Sequence, residues 1–272
     1  MAADIVLSQG VRANLLQLQK TSEIITSTQG RLATGKRVNS ALDNPINYFT
    51  AQGLTNRAND LSSLLDSMSS GINTIQAANN GLTAITKLVQ SAQSLATQAQ
   101  QTSDPTTRAS LSAQFDSLRT QIDQLAGDSG FNGVNLLNGQ NLTVILNETA
   151  TSSATITGFT DTSSGALSIN ASVNNWAASS DITAASTQLT AALTSLRSQA
   201  QTLSSTLASI QTRQDFTKSM ISTLQSGADN LTLADSNEEG ANLLALQTRQ
   251  QLSTTALSLA SQADQNVLRL FQ

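Results

Sequence analysis

The chain contains neither cysteine nor histidine. The first absence excludes disulfides and thiolate chemistry, and the second removes the commonest metal ligand and the commonest general base. Aromatic residues come down to Trp176, Tyr48 and six Phe in 272 residues. A globular core of that size ordinarily uses more aromatic area. Charged residues make up 12% of the chain, about half the usual share. The net charge of −4, without a basic cluster of nucleic-acid size, argues against nucleic acid as a partner. No apolar run reaches the roughly twenty residues of a membrane span, so no membrane partner is expected. The opening Met-Ala-Ala-Asp-Ile-Val has neither a basic region nor a long apolar core, so no cleavable secretory signal is expected. No Gly-rich loop follows a strand to cradle a phosphate, and no cofactor or metal is expected.

Ala, Ser, Thr, Gln and Leu fill the space these absences leave. Long helices with small-residue seams suit that composition better than a catalytic α/β domain. The tail, Gly240 to Gln272, carries only Arg249, Asp264 and Arg269 as charges. Ala256, Ala263 and Leu270 recur there every seven residues, as do Ala260 and Val267, which is the spacing of a helical seam. A helix with so little charge needs partner helices. Residues 4–34 have the same pattern: Val11, Leu18, Ile25 and Leu32 fall seven apart, flanked by Leu7 and Leu15. Two readings of this segment stand: an ordinary amphipathic helix packed on its own domain, or an assembly helix that pairs with the tail.

Between these ends the pattern is regular. Gly35 weakens the first helix, and Arg31, Lys36 and Arg37 form the densest positive group. Asn44 followed by Pro45 reads as a cap and first helical position. Leu54, Leu61, Met68, Ile75, Leu82, Val89 and Ala96 then fall seven apart, with a second stripe expected on Ala58, Leu65, Ile72, Asn79 and Thr86. About 50 residues of helix give a rod of roughly 75 Å. Asp104-Pro105 restarts the chain, and Leu111, Phe115, Leu118, Ile122 and Leu125 mark a third helix expected to fold back antiparallel. Asp116 and Asp123 on it read as solvated. Gly130-Phe-Asn-Gly133 reads as a turn, and the alternation at Leu142, Val144 and Leu146, and at Ala154 and Ile156, as one or two β-hairpins. Trp176 is expected to pack against helices. From Asp181, read as a cap, Leu189, Leu196, Leu203, Ile210, Thr217 and Leu224 are seven apart, interleaved by Leu193, Ala200, Leu207, Gln214 and Ile221. Ala234-Asp-Ser-Asn-Glu-Glu-Gly240 loosens the pattern before the tail helix.

The predicted fold is therefore mainly α: an elongated antiparallel coiled-coil rod of long helices with a small β-hairpin section, and with the N- and C-terminal helices paired in an assembly domain. The expected divisions are 1–40 (terminal helix and spoke), 41–140 (rod helices), 141–181 (hairpins), 182–230 (rod helix) and 231–272 (C-terminal assembly helix).

Four stretches resemble bacterial flagellin. They are Arg31-Leu-Ala-Thr-Gly-Lys-Arg-Val-Asn-Ser-Ala-Leu-Asp43, Ser69-Ser-Gly-Ile-Asn-Thr-Ile-Gln-Ala-Ala-Asn-Asn-Gly-Leu82, Phe131-Asn-Gly-Val-Asn-Leu-Leu137 and Gln262-Ala-Asp-Gln-Asn-Val-Leu-Arg-Leu-Phe271. They lie at both ends of the chain and in the family's order. The resemblance implies a short-form structural subunit of the extracellular flagellar filament, exported largely unfolded through a type III channel. Copies of itself, an export chaperone, a filament cap and hook-junction proteins would be its partners. It further implies a filament core packed by Leu7, Val11, Leu15, Leu18, Ile25, Leu32, Leu246, Leu257, Ala260, Ala263, Val267 and Leu270, with a spoke of Arg31, Lys36, Arg37 and Asp43. Receptor-active flagellins have an Arg where this chain has Ser91, so a poor innate-receptor agonist is expected. Some flagellins resemble carriers of a metallopeptidase insert, but that zinc site needs histidine. The rival readings are a hook–filament junction protein of the same fold and a free coiled-coil scaffold.

Overall fold

A computed structural model of the chain describes residues 9–270; in the last helix the side chains of Asp264 and of residues 267–270 lie outside the described set. Among the described residues the elements run α1 (Gln9–Thr34), α2 (Pro45–Gln101), α3 (Pro105–Asp128), β1 (Leu142–Ile145), β2 (Ser153–Ile156), α4 (Ser179–Thr232) and α5 (Ser236–Leu270). The fold is mainly α with one small antiparallel hairpin. The chain divides into two compact units, Met1–Asn56 with Thr223–Gln272, and Arg57–Ser222.

Helix starts follow the capping chemistry. Asn44 Oδ1 accepts the Asn47 N–H at 3.0 Å, with Pro45 at the first helical position. Asp104 Oδ2 accepts the Thr107 hydroxyl at 2.5 Å and its N–H at 2.9 Å, and the Thr107 contacts hold this carboxyl below the usual aspartate range. Each cap satisfies a helix N–H that would otherwise lack a partner. At α4 the structure departs from the sequence reading. The helix starts at Ser179, so Asp181 sits inside its first turn, where a carboxylate suits the helix dipole, instead of capping it.

Within the unit Arg57–Ser222, the first stripe of α2 is buried as expected: Leu61, Met68, Ile75, Leu82, Val89 and Ala96. The second stripe holds in part: Ala58 and Ile72 are buried as expected, while Leu65, Asn79 and Thr86 are half-exposed. Leu64, Ala78, Ile85, Ala92 and Ala99, three residues after the first stripe instead of four, are buried as well. Small residues carry little weight in a hydrophobic pattern, but they let neighbouring backbones come close. The same holds on α4, where Ala185, Ala192 and Gln199 are buried and Leu193, Ala200 and Leu207 are only half-buried. Gln93 Nε2 donates to Ser186 Oγ at 3.2 Å and Gln214 Nε2 to Ser69 Oγ at 2.9 Å. The two bonds run in opposite sequence order, so α2 and α4 are antiparallel, and a polar seam residue sets their register.

The hairpin pairs Leu142 with Ile156 and Val144 with Ala154. Its buried Val144 lies on α2 at Gly71, where an added Cβ would meet Val144 Cγ2 at 2.5 Å. At Gly81 an added Cβ would collide with Ser129 Oγ and sit 2.7 Å from Leu137 Cδ1. Gly81→Ala is therefore expected to destabilise the protein by about 1–3 kcal/mol through overpacking. Gly53, with nothing within 4 Å of the same position, should tolerate Ala and gain up to about 1 kcal/mol from helix propensity. Urea unfolding followed by circular dichroism of the two variants checks both signs.

Phe131 and Val134 exchange backbone hydrogen bonds across Asn132 and Gly133, which have φ of 49° and 81°. Both central residues thus lie in the left-handed region that Asn-Gly favours. Asp116 and Asp123 are half-exposed but, beyond the solvated face the sequence suggested, both are bonded to another segment. Asp116 accepts the N–H and hydroxyl of Ser172 at 3.0 and 2.6 Å. Asp123 takes the same pair from Ser163 at 2.5 and 2.9 Å. Between them Arg119 donates to the Ile169 carbonyl at 2.8 Å. One face of α3 therefore anchors the irregular segment 161–173, which has few ladder bonds of its own. Trp176 follows it, fully buried, with its ring 5.0 Å from Phe115 of α3. Asn174, Asn175 and Trp176 all have positive φ, a conformation that this burial holds in place.

Candidate assembly interface

The unit containing both chain ends is built from α1, α5 and the connectors beside them. Gly35, with φ of 67°, ends α1 in the left-handed conformation that favours glycine. The connector then turns back along the one that leaves α4. Lys36 and Leu233 form an antiparallel bridge. Arg37 N–H and Val38 N–H donate to the Thr232 carbonyl at 2.7 and 3.2 Å, and Ala234 N–H donates to the Gly35 carbonyl at 3.0 Å. Val38 is buried beneath this clasp. Two segments nearly 200 residues apart, each irregular alone, thus satisfy one another's backbone groups.

Side chains reinforce the clasp. Arg31, in the last turn of α1, donates from Nη1 to Oε1 of Glu239 at 3.2 Å. Glu239 lies in the first turn of α5, where its charge also suits the helix dipole. Asp43 Oδ2 accepts the N–H groups of Asn39 and Ser40 at 3.0 and 2.9 Å. The backbone N–H groups of Ser40 and Asn39 hold its carboxyl below the usual aspartate range. α5 begins at Ser236, before Gly240, because Asp235 Oδ1 accepts the N–H groups of Asn237 and Glu238 at 2.8 and 3.3 Å. Of the four residues expected in the spoke, Arg31 reaches across to the other connector, Lys36 and Arg37 join through their backbones, and Asp43 orders its own loop. Asp235 and Glu239 are the partners the sequence reading left out. The pairing of a capping Asp235 with Glu238 three residues on was the local signal for that start.

α1 packs on α5. On α1 the covered face is Val11, Thr21, Ile25 and Thr28, with Leu18 half-buried, while Leu15 and Leu32 are exposed. On α5 the half-covered face includes Leu246, Leu257 and Ala260, and Ala263 is exposed. Leu7 and the side chains of Val267 and Leu270 lie outside the described residues. The covered faces are thin and partly polar. Outside the covered faces stand bare apolar residues: Leu16 and Ile24 on α1, and Leu244, Leu252 and Leu259 on α5, which are 67, 65 and 62% exposed. Ala241, Ala245, Thr248, Leu252, Ala256, Leu259 and Ala263, all exposed, line one side of α5 at spacings of three and four with no charge among them. A second bare stripe, Leu42, Ile46 and Phe49, runs from the connector onto the start of α2. Among the described residues no group of three acidic, His or Cys side chains could hold a metal, and no helix is long and apolar enough to cross a membrane. What the unit presents is apolar surface.

The comparisons agree with that picture. A family model described as the bacterial flagellin N-terminal helical region matches residues 8–142, and one for the bacterial flagellin C-terminal helical region matches residues 179–271. Flagellin FljM of Caulobacter vibrioides is 32% identical over 97% of this chain and 97% of its own length. Flagellin FljN of the same organism is 33% identical over 97% of each chain. A flagellin of Brucella melitensis is 29% identical over 99% of each.

Proposed function

The chain belongs to the bacterial flagellin family, and from that premise we propose that its polymerisation is driven by the bare faces of α1 and α5. As a flagellin it is a structural subunit of the extracellular flagellar filament that serves swimming motility, not an enzyme, and it polymerises with itself. In the proposed arrangement, residues 1–40 and 231–272 form the filament's inner tube, and residues 41–140, 141–181 and 182–230 its wall. Leu7, Val11, Leu15, Leu18, Ile25 and Leu32, with Leu246, Leu257, Ala260, Ala263, Val267 and Leu270, pack the tube. Arg31, Lys36, Arg37 and Asp43 form the spoke.

The single observation behind this reading is the exposure of Leu16, Ile24, Leu244, Leu252 and Leu259 on helices that already pair with each other. These five side chains are 45–67% exposed, so covering each gains about half of the roughly 1.5–3 kcal/mol of full burial, and a neighbour that covers them stabilises the helices themselves. Folding of the terminal helices and assembly are then one process. Export through the flagellar type III channel fits a chain without cysteine or large aromatic clusters. An export chaperone, a filament cap and hook-junction proteins are the further partners of this reading. Electron microscopy of concentrated protein in crowding salt should show long filaments. Their absence would favour a junction protein present in few copies, and stable helical termini in dilute monomer would favour a free scaffold.

Receptor recognition is expected to be weak. Ser91 is exposed on α2 and spends its hydroxyl on the Lys87 carbonyl at 3.0 Å. The stretch Leu88-Val-Gln-Ser-Ala-Gln-Ser-Leu-Ala96 offers no charge for an ion pair. A reporter cell line carrying the innate receptor should respond far less than to a receptor-active flagellin at equal dose. An equal response would contradict the expectation.

A further inference from the structure

The unit Arg57–Ser222 holds a fully buried carboxyl, Asp161, one oxygen of which has no hydrogen-bond partner. Asp161 is fully buried at the start of the segment anchored by α3. Its N–H donates to the Leu137 carbonyl at 2.9 Å, which fixes the backbone. Its side chain meets Gln199, a buried polar residue on the inner stripe of α4. Gln199 Nε2 donates to Asp161 Oδ1 at 2.9 Å, with a longer contact to Ser195 Oγ at 3.4 Å. The other two oxygens of the pair, Asp161 Oδ2 and Gln199 Oε1, are both buried and both lack a partner. Each is an acceptor, so as an ionised carboxylate and an amide they leave two buried lone-pair groups unsatisfied, a costly arrangement.

A proton shared between Asp161 Oδ2 and Gln199 Oε1 would remove both deficits. A carboxylic acid and a primary amide pair through two hydrogen bonds, the amide N–H to the acid carbonyl and the acid O–H to the amide carbonyl. We propose that Asp161 and Gln199 form such a proton-operated lock, which pins the 161–173 segment to α4 when Asp161 is protonated and loosens it when the proton leaves. Burial pushes the Asp161 carboxyl up to about 6, opposed by the Gln199 hydrogen bond. No described ion pair offsets this. On α3, Arg119 and Asp123 are engaged with Ser163, and Asp116 with Ser172. Arg197 on α4 and Lys87 on α2 are exposed.

The direction of the pH effect follows from linkage. The folded protein binds this proton more tightly than the unfolded chain, whose Asp titrates near 3.8. The contribution is therefore fully present below the unfolded value and is lost as pH rises through about 6. Between pH 7.5 and 5 the unfolding constant should fall about tenfold from this group alone. The window is unusually clean, because the sequence has no histidine or cysteine to titrate within it.

The test uses the full-length monomer, unfolded in urea between pH 5 and 7.5 and followed by the fluorescence of Trp176, the single tryptophan. Wild type should become more stable as pH falls. Asp161→Asn supplies the second donor permanently, so it should be flat across the window, match wild type near pH 5 and exceed it near pH 7.5. If D161N does not fold, the Asp161 carboxyl carbon of 13C-labelled wild type decides, with a titration near pH 6 expected. Wild-type stability that does not change in the window, a D161N variant that keeps the wild-type slope, or a carboxyl that titrates near its ordinary value would each overturn the lock.

Discussion

Cutting the chain before Ser236 should abolish filaments while the unit Arg57–Ser222 keeps its fold. The truncation removes all of α5, and with it the partner of Val11, Ile25 and the other covered residues of α1. It also removes Glu239, the ion-pair partner of Arg31. The core around Met68, Ile75, Phe115, Leu189 and Trp176 lies wholly in the other unit and loses nothing. Electron microscopy should find no polymer at concentrations at which the full chain assembles, and near-wild-type unfolding read at Trp176. Ala263→Arg is the point version of the same prediction. Ala263 is exposed in the single chain, so the variant should fold normally. In the proposed packing of the tube an arginine there would be buried without a partner, at a cost of several kcal/mol, and cells that make only this variant should not swim. Filaments from either protein would remove α5 from the interface.

Replacing Arg108 should do the reverse and damage the fold of the Arg57–Ser222 unit itself. Its guanidinium is buried and donates to the carbonyls of Ala99 and Thr102 at 3.2 and 2.8 Å, to that of Ala177 at 3.0 Å and to Ser179 Oγ at 3.3 Å. One side chain thus serves the C-terminus of α2, the start of α3 and the entrance to α4. Helix C-termini leave carbonyls without partners, and a buried one left so costs about 1–3 kcal/mol. Arg108→Ala strips several at once, for an expected loss of at least about 3 kcal/mol in urea unfolding. Arg108→Lys should recover less than half of it, because a single ammonium cannot reproduce the spread of the guanidinium donors. A loss within about 0.5 kcal/mol, the range of ordinary surface changes, would show that water replaces these bonds.

Much of this architecture was legible because it is local. Leu61, Met68 and Ile75 repeat at a helical period, Asn44-Pro45 and Asp104-Pro105 announce helix starts, and Asn132-Gly133 announces a turn. What escaped was either small or distant. Ala78, Ala92 and Ala99 share the second buried stripe of α2 with Leu64 and Ile85 but are too small to register beside leucine. Asp116 and Asp123 look like solvated helix charges until the serine-rich segment they anchor, about 40 or more residues later, is laid over them. Arg31 meets Glu239 across 208 positions, and no periodicity reports such a pairing. The bare leucines of α5 were legible as a charge-poor tail, but which of its faces covers α1 and which is left over depends on the packing.

The clasp at Lys36 and Leu233 has a mechanical consequence. Because the backbones of the two connectors are bonded to each other at Gly35, Arg37, Val38, Thr232 and Ala234, tension that enters through α1 does not travel down one strand alone. It is handed sideways into the neighbouring strand, and the two carry load as a doubled tether. In the proposed arrangement, where α1 and α5 hold the subunit in the tube, the paired connectors would pass that load on together.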